Sequence, residues 1–172
     1  MGSHAIRERS LDQPRAAFVA LRRIVRFLRI ADREAEAAHG LSAAQLFVLH
    51  TLHEAPARSL QELADRTLTD QSSVSTVVAR LVTRKLVRRT VAATDRRRTE
   101  IHLTASGERV ARTAPRVPQT HMIRAIQAMP EAKRRELVRS LEGLAAAIGA
   151  TEVAPRLLFE DEPPPRRPRG RK

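Results

Sequence analysis

The chain has no cysteine, tryptophan or tyrosine, only four phenylalanines and six glycines, and no apolar run long enough to cross a bilayer. Each absence removes a class of protein. Without thiols there is no disulfide framework, no thiolate zinc site and no thiol redox chemistry. A spanning helix would need about 20 consecutive apolar residues, and the N-terminus shows no basic stretch followed by an apolar one and a cleavage site. The expectation is a cytoplasmic protein. Six scattered glycines supply neither a phosphate-cradling loop nor the three-glycine dinucleotide pattern, and there is no GxSxG elbow. The chain therefore does not read as an enzyme, and no cofactor is expected. Acid is the other scarcity: 19 Asp and Glu stand against 32 Lys and Arg, a formal charge of +13 on 172 residues. An apolar fraction of 42% is enough for a core, so the chain reads as one folded domain whose first partner to consider is nucleic acid.

What is present centres on residues 59–107. Ser59 followed by Glu62 is a helix-start arrangement, and Leu60, Leu63 and Ala64 fall on one side of the helix it begins. Thr67, Thr69 and Asp70 interrupt it. Asp70 is suited to cap a second helix in which Val74, Val77, Val78 and Leu81 recur at helical spacing, leaving Ser72, Ser75, Thr76, Ala79, Arg80 and Thr83 outward. An outer face of small hydroxyls, with Gln71 at its start and Arg80 further along, suits a helix that enters a DNA groove, because bulky side chains would hold it out. Leu86 to Val91 and Thr99 to Thr104 then read as strands. Between them Arg96, Arg97 and Arg98 load the turn with charge that can reach phosphate or a minor groove.

These residues carry a resemblance. LADRTLTDQSSVSTVVARLVTRKLV followed by TDRRRTEIHLTASG resembles the winged helix-turn-helix of the MarR family of bacterial transcription regulators. Its most specific piece is Asp95-Arg96-Arg97, then Ile101 to Thr104 and Gly107. The resemblance implies a mainly α fold with a small antiparallel β wing, a winged helix-turn-helix flanked by N- and C-terminal dimerisation helices. It implies a DNA-binding set of Gln71, Ser72, Ser73, Ser75, Thr76 and Arg80 on the major-groove helix, and Asp95, Arg96, Arg97 and Arg98 on the wing, with Arg97 in the minor groove and Asp95 steadying the turn. It also implies a dimeric, ligand-responsive repressor on a pseudo-palindromic duplex. The inducer expected is a small molecule of the aromatic-acid kind, held between the dimerisation helices and the winged lobe, with an arginine of the first helix as its cation. The absence of cysteine excludes the family's peroxide-sensing style. One departure is Lys85, where the family has glycine; it must accept a left-handed backbone.

The remaining chain is divided by its punctuation. Residues 1–14 read as a flexible N-terminus. Arg15 to His39 lacks Gly and Pro and carries Phe18, Leu21, Val25 and Leu28 on one stripe, widened by Ile24 and Phe27. That band is broader than one neighbour requires, which points to a second subunit. Gly40 ends this helix and Ser42 caps the next, so residues 41–106 form the winged head. Beyond it, residues 107–150 hold C-terminal dimerisation helices, with Leu137, Leu141, Leu144 and Ile148 at coiled-coil-like steps. Pro115 and Pro118 must break the post-wing helix, resuming at Met122, and make Ala114 to Pro118 a candidate hinge. Residues 151–172 read as a flexible tail ending in PPPRRPRGRK, with Leu157, Leu158 and Phe159 as an apolar patch able to dock.

His50 and His53 lie three apart and could share a metal, but no third ligand stands beside them, so they read as packing residues and no metal is assigned. The competing functional class is a non-specific architectural DNA-binding protein, which lacks preference for any one duplex.

Overall fold

The computed structural model describes residues 2–91, 99–115 and 117–158. Among these described residues seven helices and a two-stranded antiparallel sheet follow one another as α1 (Gly2–His39), α2 (Ala43–Glu54), α3 (Leu60–Thr67), α4 (Gln71–Thr83), β1 (Val87–Val91), β2 (Thr99–Leu103), α5 (Ala105–Thr113), α6 (Pro118–Gln127) and α7 (Glu131–Ala147). The mainly α fold with a β wing is as the sequence reading has it.

Local chemistry sets the boundaries. Gly40 leaves α1 at φ 63°, the left-handed conformation that stops a helix. Ser42 and Gln45 then close a reciprocal box: Gln45 N–H donates to Ser42 Oγ at 3.3 Å and Ser42 N–H to Gln45 Oε1 at 3.2 Å. Asp32 of α1 accepts from the Ala43 amide at 2.7 Å, which fastens the end of the long helix to the start of α2. At α3 the Ser59 hydroxyl takes the Glu62 amide at 3.0 Å, while the Glu62 carboxylate reaches the Arg58 amide, one residue before the cap.

The core lies between α2, α3, α4, α5 and the wing. Leu46, Val48, Leu49, Leu63, Ala64, Val74, Val78, Leu81 and Ile101 are shut off from solvent. The wing is registered Val87 to Leu103 and Val91 to Thr99, so Val87 and Ile101 point inward. A feature absent from the sequence reading is a third edge: Ala57 pairs with Ile101 through amide bonds of 3.0 and 2.7 Å, tying the entry to α3 onto the wing. Lys85 does take the left-handed backbone, at φ 57°.

Four expectations change. Helix α1 begins at Gly2 and contains Pro14, where residues 1–14 were expected to be flexible. Proline removes one amide from the ladder without forbidding a long helix around it. The helix after the wing breaks as expected, yet α6 starts at Pro118, earlier than Met122, because proline at the first helical position gives up an amide that would have no partner. The candidate hinge is packed: Ala114, Val117, Pro118 and Gln119 are buried. Finally, the tail expected over residues 151–172 does not begin at 151: Leu157 sits in the core cluster, the docking its apolar patch allowed. Phe159 and the basic tail lie outside the described residues.

Candidate nucleic-acid interface

Helix α4 presents one face because the other is fixed. Val74, Val77, Val78 and Leu81 are buried against α2 and α3. At its N-terminus Asp70 Oδ1 accepts from the Ser73 amide at 2.8 Å and from the Ser72 hydroxyl at 2.6 Å. Those two donors hold the Asp70 carboxyl below its usual pKa, the Ser72 hydroxyl contributing most. At the other end the Arg84 guanidinium donates to Gly40 O, so the helix is tied to the joint between α1 and α2.

Of the residues expected to read DNA, Gln71 and Ser72 are exposed, and Ser75, Thr76 and Arg80 are half-buried along the same side. The Thr76 hydroxyl donates to Ser72 O at 3.1 Å, so this row is of low relief, as a helix entering a groove requires. Ser73 is corrected. It is 2% exposed and its Oγ accepts from the Leu157 amide at 3.0 Å, so it braces the helix from behind instead of facing outward. Periodicity could have shown this, since Ser73 adjoins Val74 and lies four residues before Val77. Asp95, Arg96, Arg97 and Arg98 lie outside the described residues.

Two cations were missed. Arg58, Ser59, Gln71, Arg89 and Thr99 line an open concavity of about 650 Å³ between the start of α3, the start of α4 and the wing. Arg58 and Arg89 are both exposed there, beside Gln71. The Ala57 to Ile101 pairing is what brings them together, and nothing in local sequence announces that pairing.

A second cavity, of about 570 Å³, opens between α2, α5 and α6. Phe47, Thr51 and Ile123 supply its apolar wall, and His50 and His53 face it. His53 Nδ1 lies 2.8 Å from Glu108 Oε1, bridging α2 to α5. No group of three His, Asp or Glu side chains able to hold a metal occurs among the described residues. The cations here are Arg66, Arg112 and Arg124, from α3, α5 and α6. None of these three comes from α1, whose Arg22, Arg26, Arg29 and Arg33 line a separate concavity. Arg66 is already committed to the Ala55, Pro56 and Thr51 carbonyls, capping the end of α2, whereas Arg112 and Arg124 are exposed at the rim.

Among the described residues no helix is long and apolar enough to cross a membrane. No curated protein sequence matches the chain. The model of the MarR family matches residues 39–98, the stretch that holds α2, α3, α4 and β1. Among solved structures, BpsR of Bordetella bronchiseptica, whose DNA binding is regulated by 6-hydroxynicotinic acid, is 27% identical with a TM-score of 0.50, over 73% of this chain and 90% of that one. BldR, a transcriptional regulator of Sulfolobus solfataricus, is 23% identical with a TM-score of 0.52, over 80% and 97%. FabT of Streptococcus pneumoniae in complex with DNA has the same fold at 17% identity, TM-score 0.54, over 80% and 97%. The family match on the helix-turn-helix and the shared fold around it make this chain similar to the MarR family of winged-helix transcription regulators.

Proposed function

We propose that the chain is a homodimeric repressor that reads a pseudo-palindromic duplex with α4 and its wing and lets go when a small aromatic acid binds. The observation that carries the reading is the outer row of α4, small and polar from Gln71 to Arg80 and backed by a fully buried apolar face. Arg58 and Arg89 add cations for the flanking phosphates, and Arg96, Arg97 and Arg98 supply the wing.

Dimerisation is supported by apolar surface that one chain leaves uncovered. Phe18, Ile24, Phe27 and Ile30 on α1 and Val138, Leu141 and Leu144 on α7 are exposed, more contiguous apolar surface than a monomer carries without a partner. Two copies would then present their α4 helices about 34 Å apart to successive major grooves. For the effector, the cavity between α2, α5 and α6 has the size of small-molecule sites, apolar walls and two rim arginines, which suits an aromatic carboxylate. BpsR, regulated by 6-hydroxynicotinic acid, is the nearest chemical precedent among the solved relatives named above. A ligand there acts only by binding one spacing of the heads better than another.

The test is selection of duplexes from a random library, followed by the ratio of affinities for the selected and the random duplex at physiological salt. A ratio far above one is expected, and a ratio near one would make the protein an architectural binder. Gln71→Ala should lower that ratio, and Arg97→Ala should weaken binding and flatten its salt dependence by about one unit of slope. Unchanged binding in both variants would refute the assignment of α4 and the wing.

A further inference from the structure

The last described stretch folds back onto the reading head. After α7 the chain turns at Gly149, with φ 70°, and returns to the helix-turn-helix. Leu157 is 6% exposed and belongs to the same apolar cluster as Val74 and Val77 of α4. Its amide donates to Ser73 Oγ at 3.0 Å. Two residues earlier, Pro155 O accepts from the Thr69 hydroxyl, in the turn that joins α3 to α4. One residue later, Leu158 O accepts from Gln119 Nε2 at 3.3 Å, and Gln119 is buried on the second residue of α6. Residues 155–158 thus bond to the turn before the recognition helix, to its first turn and to α6.

The Thr69 and Ser73 contacts act at the end of α4 that carries Gln71 and Ser72. The turn is confined already, since Leu68 takes a left-handed backbone at φ 56° and Asp70 caps the helix. Thr69 and Ser73 bracket that cap, and both bond to the returning segment. A buried amide such as that of Leu157 needs its acceptor, so the segment cannot shift without giving up a bond or taking Ser73 with it. Gln119 fixes the other end of the segment to a helix whose Thr120 and Ile123 line the cavity beneath the head. Groove reading demands placement to a fraction of an ångström, which neighbouring packing must supply.

We propose that residues 155–158 are a strap that positions the first turn of the recognition helix relative to α6, so that the C-terminal segment is part of the DNA-reading apparatus. The proposal rests on α4 being the helix that reads DNA. Ser73 and Leu157 are positioning residues in it: neither faces the groove, and both act through Gln71 and Ser72.

The experiment uses the full chain, the duplex that the parent selects from a random library and a random duplex of equal length. Leu157→Ala should lower affinity for the selected duplex by about tenfold, with a smaller loss on the random one. Its salt dependence should match the parent, because no cation is lost. Amide hydrogen exchange at residues 70–74 should speed up, and Ser73→Ala should move every readout the same way by less. Truncation after Glu162 removes PPPRRPRGRK and keeps the strap, so it should preserve the ratio between the duplexes. Equal loss on both duplexes, or no loss with unchanged exchange at 70–74, overturns the strap. So does a truncation that abolishes the ratio as fully as Leu157→Ala, since the basic tail would then be the source of discrimination. Should Leu157→Ala not fold, Ser73→Ala decides, as it removes one oxygen and no core volume. A harmless Gln71→Ala would refute the reading of α4 itself, which separates the two failures.

Discussion

Nine of the twelve residues of α2 are buried, while the seventeen residues of α7 bury none. Composition explains part of the contrast, since α7 carries seven charged residues and α2 one, but the apolar positions of α7 stay open for want of neighbours. Helix α2 is enclosed by α1, α3, α4, α5, α6 and β2. Helix α7 offers Val138, Leu141 and Leu144 to solvent. Within one chain the winged head covers its apolar residues, and α1 and α7, the dimer base of the proposed function, leave theirs open. An apolar stripe left open at half exposure gains nothing from the hydrophobic effect until a second surface covers it. The head should therefore hold its stability by itself, and the base should depend on protein concentration.

The contrast breaks most visibly at α7. Replacing Leu141 and Leu144 together by Glu puts two charges where the dimer would be dry. Dimer association should then be weaker by about a hundredfold or more, since stranded charges cost about 3 kcal/mol or more. Sedimentation should show monomer at concentrations where the parent is dimeric, with the helical content of the head retained. A double variant that sediments like the parent would mean that α7 is not part of the interface.

How legible these two regions were in the sequence differs for the same reason. In the head the instructions are local: Ser42, Ser59, Asp70 and Thr104 each cap a helix within four residues, and the Val74 to Leu81 spacing names its own buried face. Even the strain at Lys85 could be anticipated. Most of the misreadings involve contacts between distant residues. Ser73 looked like a groove-facing hydroxyl until Leu157, 84 positions away, was found on it. Arg58 and Arg89 meet only because Ala57 pairs with Ile101. The rim arginines of the cavity come from α5 and α6, whose mutual placement follows a proline-broken joint that no local pattern fixes. Pro14 was taken for a boundary on the strength of a local rule, and the helix continues through it.

A second test stays inside the head and should ignore concentration. Gly107 sits where α5 passes under the chain leaving α4: a Cβ there would lie 1.9 Å from Leu86 O. The approach is locked by Thr104, whose amide donates to Leu86 O at 3.0 Å and whose hydroxyl donates to Lys85 O at 2.7 Å. The clash is with backbone, which cannot rotate away. Gly107→Ala should therefore cost about 2 kcal/mol or more through forced displacement of packed elements. Denaturant midpoints for parent and variant should differ by the same free energy at low and high protein concentration. A loss that appears only on dilution would mean that the head leans on the base after all.

The smallest expected effect sharpens the same point through pH. Asp70 caps α4 by accepting from the Ser73 amide and the Ser72 hydroxyl, and these bonds favour its charged form, so its folded-state pKa is lowered. The sign follows from linkage. Below the ordinary carboxylate range the unfolded chain binds a proton that the folded chain resists, so the cap's contribution is complete above that range and is lost as pH falls through the lowered folded-state value. Asp70→Ala should cost about 1 kcal/mol at neutral pH, the usual worth of such a cap. Parent and variant should then converge in strong acid. Because both bonds lie within the head, the neutral-pH difference should be the same at every protein concentration, while DNA affinity should fall with the fraying of the turn that carries Gln71 and Ser72. If the two proteins instead keep a constant gap down to the acid end, the carboxylate is not the capping species, and the order at the start of the recognition helix must come from the Thr69 and Ser73 contacts alone.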